Sequence, residues 1–134
     1  MDRLFLDANV LFSAAYRPAS LIRRIWELEG IEIWTSMYAA DEARRNLREK
    51  RSAQCEDLER LLSKVRIHPA ISSAAPIPRE IEIAEKDRPV IAAAIEIKAT
   101  HLLTGDKEHF AGYYGRAVGG VLVMPPVEYL RSRR

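Results

Sequence analysis

The chain has 134 residues, 30% of them charged, a formal charge of +2 and one cysteine. That length makes one domain, residues 1–134, able to bury a core without cross-links; the lone Cys55 excludes an internal disulfide, and the balanced charge excludes nucleic-acid affinity by composition alone. No apolar run approaches the ~20 residues that cross a bilayer and no targeting leader is evident, so no membrane partner and a cytosolic location are expected.

Leu4-Phe5-Leu6 predicts a short strand covered on both faces, as strands of parallel sheets are. Asp7 stands at its carboxyl end, the edge where ligands collect in open α/β sheets. Alone, Asp7 reads as a turn or cap residue, and Asn9 as a hydrogen-bonding neighbour or a cap. Ser20 then caps a helix with an apolar stripe of Leu21, Ile22, Ile25, Trp26 and Leu28, stopped by Gly30, with Trp26 in the core. Ile31-Glu32-Ile33-Trp34 predicts a second strand, and Thr35 or Ser36 opens the next helix. Strand, helix and strand in so few residues imply a crossover and a parallel pair. Ser36 to Ser63 is helical in composition, with a break near Arg51 and Ser52. Val65 to His68 is a third strand, ended by Pro69.

Residues 70–78 read as a surface loop, and Ile81-Glu82-Ile83 fits a helical turn or an extended segment equally. Pro89 to Ala99 is a helix with proline in its first turn. His101-Leu102-Leu103-Thr104-Gly105-Asp106 repeats the first motif: an apolar strand, a tight exit and an aspartate. If the two strands are neighbours, Asp7 and Asp106 face one crevice. A turn from Lys107 to Phe110, a fifth strand over Val118 to Met124 and a helix over Pro126 to Arg131 complete the chain. The alternation predicts a three-layer α/β/α sandwich with a mainly parallel sheet of about five strands.

Two further acids have competing readings. Glu42, beside Asp41, is placed to compensate a helix dipole, worth ~0.3–1 kcal/mol, yet it also lies within reach of Asp7. Asp87 precedes Arg88-Pro89, and Pro89 in the first helical position would make Arg88 the half-in residue, so capping explains Asp87 imperfectly. The basic run Arg44, Arg45, Arg48, Lys50 and Arg51, with Lys107 and His109 beyond Asp106, divides evenly between a solvated face and a phosphate-tracking rim. His68 and His101 lie in strand patterns and read as structural.

Taken together, Leu6-Asp7-Ala8-Asn9-Val10-Leu11, Glu42-Ala43-Arg44-Arg45-Asn46-Leu47, Asp87-Arg88-Pro89-Val90-Ile91-Ala92 and Leu102-Leu103-Thr104-Gly105-Asp106 resemble the PIN-domain nucleases, in order and over essentially the whole chain. The resemblance implies that Asp7, Glu42, Asp87 and Asp106 are the family's acidic site residues, which brings Asp87 to the shared crevice. It makes Asn9 and Thr104 the supporting polar positions. Four carboxylates in one crevice repel, so either their pKa values rise or a cation occupies the site, and hard oxygen donors without thiolate or imidazole select Mg²⁺ or Mn²⁺. The resemblance further implies RNA cleavage leaving a 5′-phosphate and a 3′-hydroxyl, a homodimer, and, for small chains of this kind, similarity to VapC-type toxins held inactive by a cognate antitoxin. A stand-alone RNA-processing nuclease and a non-catalytic PIN-fold binding module are the alternatives. A haloacid-dehalogenase-type phosphatase needs an acid where Asn9 stands; a receiver domain needs a lysine after its fifth strand, where Val123-Met124-Pro125 stands. A dinucleotide module needs a glycine-rich turn after the first strand, which is missing.

Overall fold

A computed structural model describes residues 1–69, 77, 85–105 and 110–133. Its six strands are β1 (Asp2–Leu6), β2 (Ile31–Ser36), β3 (Arg66–His68), β4 (His101–Leu103), β5 (Ala117–Val118) and β6 (Val121–Met124), in the sheet order β3-β2-β1-β4-β6-β5. All neighbours are parallel except the β5/β6 hairpin. The helices are α1 (Ala8–Tyr16), α2 (Met37–Lys50), α3 (Cys55–Leu62), α4 (Arg88–Glu96) and α5 (Pro126–Ser132).

The strands alternate between two cores, as a period of two requires. Leu4, Leu6 and Leu103 join α1, α2, α3 and Tyr129 of α5 on one face. Phe5, Leu102 and Val123 join α4 and Phe110 on the other. The result is the expected three-layer sandwich. β1 is central, with Phe5 registered against Trp34 of β2 and Leu6 against Leu103 of β4. The two strands whose tips carry the repeated motif are therefore neighbours.

Several boundaries differ from the sequence reading. The chain turns into α1 directly after Asp7, a helix whose apolar residues run on from those of the strand before it. The stripe from Leu21 is a 3-10 helix, Leu21–Glu27, with Ser20 Oγ accepting from the Ile22 N–H and only Ile25 fully buried. Trp26 is half-buried, its ring packed on the first core and its Nε1–H donated to the Leu61 carbonyl at 3.1 Å. Val118 to Met124 is two strands because Gly119 and Gly120 reverse the chain with φ of +57° and +86°, a two-residue hairpin only glycine enters cheaply. The sheet thus has six strands. α4 stops at Glu96: Lys98 takes the left-handed conformation, and the Ala99 and Lys98 N–H groups bond the Ala94 and Ile95 carbonyls at 3.0 Å, a Schellman ending. The expectations for residues 70–76, 78–84 and 106–109 lie outside the described residues. Among those described, no helix is long and apolar enough to cross a membrane.

Candidate functional site

Asp7 is fixed between α1 and the exit of β4. It is the N-cap of α1, its Oδ1 accepting from the Ala8 N–H at 2.7 Å. Its Oδ2 accepts from Thr104 Oγ1 at 2.9 Å and from Asn9 Nδ2 at 3.2 Å. Its own N–H donates to the Leu103 carbonyl at 3.1 Å, carrying the β1/β4 ladder past the end of the strands. The capping reading and the strand-tip reading of Asp7 therefore hold together. Asn9 spans the gap, its Oδ1 accepting from the Gly105 N–H at 2.8 Å while its Nδ2 also reaches Thr104 Oγ1 at 3.3 Å.

This carboxyl is only 5% exposed. Burial pushes it up from the ordinary 3.8 to about 6, against the hydrogen bonds from Thr104 and Ala8 that pull it down. The negative charges of Asp87 and Glu42 push in the same direction as burial. Both side chains therefore act on Asp7 through space. Glu42 is half-buried on α2, which starts from the β2 tip with Ser36 Oγ accepting from the Ala39 N–H. Asp87 is buried at the amino end of α4.

Asp87, rather than Arg88, is the half-in residue, which puts Pro89 second in the helix; its side chain makes no capping bond. The structure thus brings Asp7, Glu42 and Asp87 to one region, with Thr104 and Asn9 gripping Asp7. Asp106 follows Gly105 and lies outside the described residues. Among the described residues, no three Asp, Glu, His or Cys side chains stand close enough to share one ion. By chemistry the donors fit a hard divalent cation: carboxylates only, one of them strained toward its neutral form by burial and by its acidic neighbours. A cation relieves that imbalance.

Three supporting groups escaped the sequence reading. Thr35 Oγ1, fully buried, donates to the Leu6 carbonyl at 2.8 Å, one residue below Asp7. The Tyr114 hydroxyl donates to the Thr104 carbonyl at 3.1 Å. The Tyr38 hydroxyl donates to the Lys86 carbonyl at 2.8 Å, and Tyr38 stands one helical turn before Glu42. That four-residue spacing is the one signal the sequence offered for any of them.

The basic run separates by residue. Arg44 is committed internally, its guanidinium donating to both carboxylate oxygens of Glu59 at 2.9 and 3.0 Å and to Asp41 at 3.0 Å. Arg51 donates to the Tyr16 carbonyl and lies over the Tyr16 ring. Arg45, Arg48 and Lys50 are exposed. His101 packs edge-on against Tyr129 with ring centres 4.9 Å apart, the structural role expected of it. His68 lies 3.4 Å from Glu96.

Solved structures of low sequence identity share this fold. The chain is similar to VapBC2 from Rickettsia felis bound to a DNA fragment from their promoter, with a TM-score of 0.67, 15% identity and coverage of 92% of this chain and 98% of that one. It is similar to VapC20 from Mycobacterium tuberculosis, a sarcin-ricin loop cleaving toxin, with a TM-score of 0.60, 13% identity and coverage of 86% and 98%. VapBC-1 from nontypeable Haemophilus influenzae gives a TM-score of 0.59, 13% identity and coverage of 93% and 98%. Among curated protein sequences, none matches. The family model described as the PIN domain matches residues 3–108, from β1 past the β4 tip, and the chain belongs to that family.

Proposed function

We propose that the chain is a divalent-metal-dependent endoribonuclease, the toxin of a type II toxin–antitoxin pair, acting in the cytosol as a single-domain protein that pairs with a second copy. The observation that carries this reading is the setting of Asp7: a buried carboxylate held, among the described residues, by neutral donors, at the junction of two parallel strand tips, with two further acids acting on it. A stability-only aspartate buried in this way would be expected to meet a cation. The likeness to toxins, two of them in VapBC complexes, supports the extension to RNA and to an antitoxin partner.

In this reading Asp7, Glu42, Asp87 and Asp106 would hold Mg²⁺ or Mn²⁺. The bound ion would lower the pKa of a water and neutralise charge building on the phosphate oxygens. Asp7 supplies the fixed carboxylate, because its hydrogen bonds leave it no rotamer freedom. Thr104, donating to Oδ2, pulls Asp7 back toward its charged form against burial, and with Asn9 orients the carboxylate for the ion. Glu42 and Asp87 complete the shell or orient the attacking water.

The test is cleavage of a labelled single-stranded RNA with Mn²⁺, with Mg²⁺ and with chelator, beside Asp7→Asn. Metal-dependent cutting by the wild type and a loss of about two orders of magnitude or more in the variant is the expected result. Equal cutting by both proteins, or neither cutting nor thermal stabilisation of the wild type by metal, would overturn the reading.

A further inference from the structure

We propose that Tyr38 is a positioning residue that clamps the turn before α4 onto the first turn of α2, fixing Glu42 and Asp87 relative to each other and thereby setting the affinity of the site for its divalent ion. The inference rests on the nuclease reading above and goes beyond it by assigning a role to a side chain that is itself no metal ligand.

Glu42 and Asp87 ride on separate helices and repel each other, and a site assembled from them needs something that opposes their separation. Asp7 is locked by its own bonds to Ala8, Asn9 and Thr104. One bond that reaches this turn from α2 is the Tyr38 hydroxyl on the Lys86 carbonyl, at 2.8 Å and one peptide unit from Asp87. Tyr38 and Glu42, four residues apart, share a face of α2, so one rigid ring links the backbone before Asp87 to the helical turn that carries Glu42. The ring packs on the second core, against the α4 layer, while the rest of α2 packs on the first. The half-buried ring is thus anchored on the core, while its hydroxyl makes the bond at the exposed rim. Releasing the Lys86 carbonyl would let like-charge repulsion draw the α4 terminus away from α2.

Tyr38→Phe keeps the packed ring and removes the clamp. Wild type, Tyr38→Phe and Asp7→Asn should be compared as full chains by Mn²⁺ titration, read by thermal shift and calorimetry, with amide hydrogen exchange on the metal-free proteins. A net hydrogen bond of ordinary strength predicts Mn²⁺ binding weakened about two- to tenfold in Tyr38→Phe, with cleavage recovered at saturating Mn²⁺. Faster exchange at residues 86–88, without metal, is expected alongside. Wild-type Mn²⁺ affinity together with unchanged exchange in Tyr38→Phe would overturn the clamp, as would a rate loss that saturating Mn²⁺ does not restore. If the wild type itself ignores Mn²⁺, the metal-site reading falls and takes the clamp with it. If Asp7→Asn loses Mn²⁺ binding while Tyr38→Phe keeps it unchanged, the clamp alone fails.

Discussion

The two ends of β1 each carry an aspartate, and their surroundings are opposite. Asp2 accepts a 2.6 Å hydrogen bond from the buried Tyr129 hydroxyl and lies 3.7 Å from the Arg133 guanidinium. Asp7, five residues on, is held by an amide, a hydroxyl and a carboxamide, and the charges acting most strongly on it are those of two other acids. Asp2 is a staple, stitching the C-terminal helix to the first strand. Among the described residues, no positive charge answers that of Asp7. Under the proposed function the contrast has a reason: a carboxylate serving the fold is met by the fold, and one kept for a ligand is oriented by neutral groups.

The largest expected break in that contrast comes from pH. The folded protein holds the Asp7 proton more tightly than the unfolded chain, so the contribution of Asp7 is fully favourable below about pH 4 and is lost as pH rises through about 6. In metal-free protein this amounts to about 3 kcal/mol, visible as a falling Tm between those values and absent in Asp7→Asn. At pH 7, Mn²⁺ at a hundred times its Kd should restore about 2.7 kcal/mol to the wild type alone. Next comes Thr104→Val, which keeps the shape and removes the buried donor to Asp7 Oδ2. Chemical denaturation should show a loss of about 1–3 kcal/mol, and the acid limb of the cleavage profile should move to higher pH as Asp7 holds its proton more tightly. The smallest effect belongs to the other end of the strand. Tyr129→Phe should cost about 1 kcal/mol while Mn²⁺ affinity and cleavage stay unchanged, since Asp2 takes no part in the site.

How much of this was legible in the sequence follows from what kind of interaction carries each feature. The likeness of β1 and β4 was legible because both are short runs of large apolar residues followed by an aspartate; their adjacency, posed there only as a condition, is supplied by the pairing of Leu6 with Leu103. The helix at Ser36 and the break near Arg51 were legible from a cap and a change of composition. α1 was not, because Ala8, Val10, Leu11, Ala14 and Ala15 are all buried and the apolar run blends into the strand before it. The β5/β6 reversal was written in Gly119-Gly120, and its tightness is visible in space: a Cβ at Gly119 would meet Ile95 Cδ1 at 2.7 Å. The supports at Thr35, Tyr38 and Tyr114 are single hydrogen bonds across 29, 48 and 10 residues, and such bonds leave no periodic trace. The distinction between Asp2 and Asp7 was equally hidden, since Tyr129 and Arg133 lie at the far end of the chain.

Asn9 has a mechanical consequence. Its nitrogen holds Asp7 and its oxygen holds the Gly105 N–H, so one planar amide bridges the exits of two adjacent strands. Sliding of β4 along β1 during sheet breathing would have to shear the Asn9–Gly105 and Thr104–Asp7 bonds at once, and the Asn9 amide that sets the Gly105 backbone is itself steadied by Asp7. An amide is the smallest neutral group that offers a donor and an acceptor on a rigid plate. Aspartate in its place would keep the acceptor for the Gly105 N–H and lose the donor to Asp7.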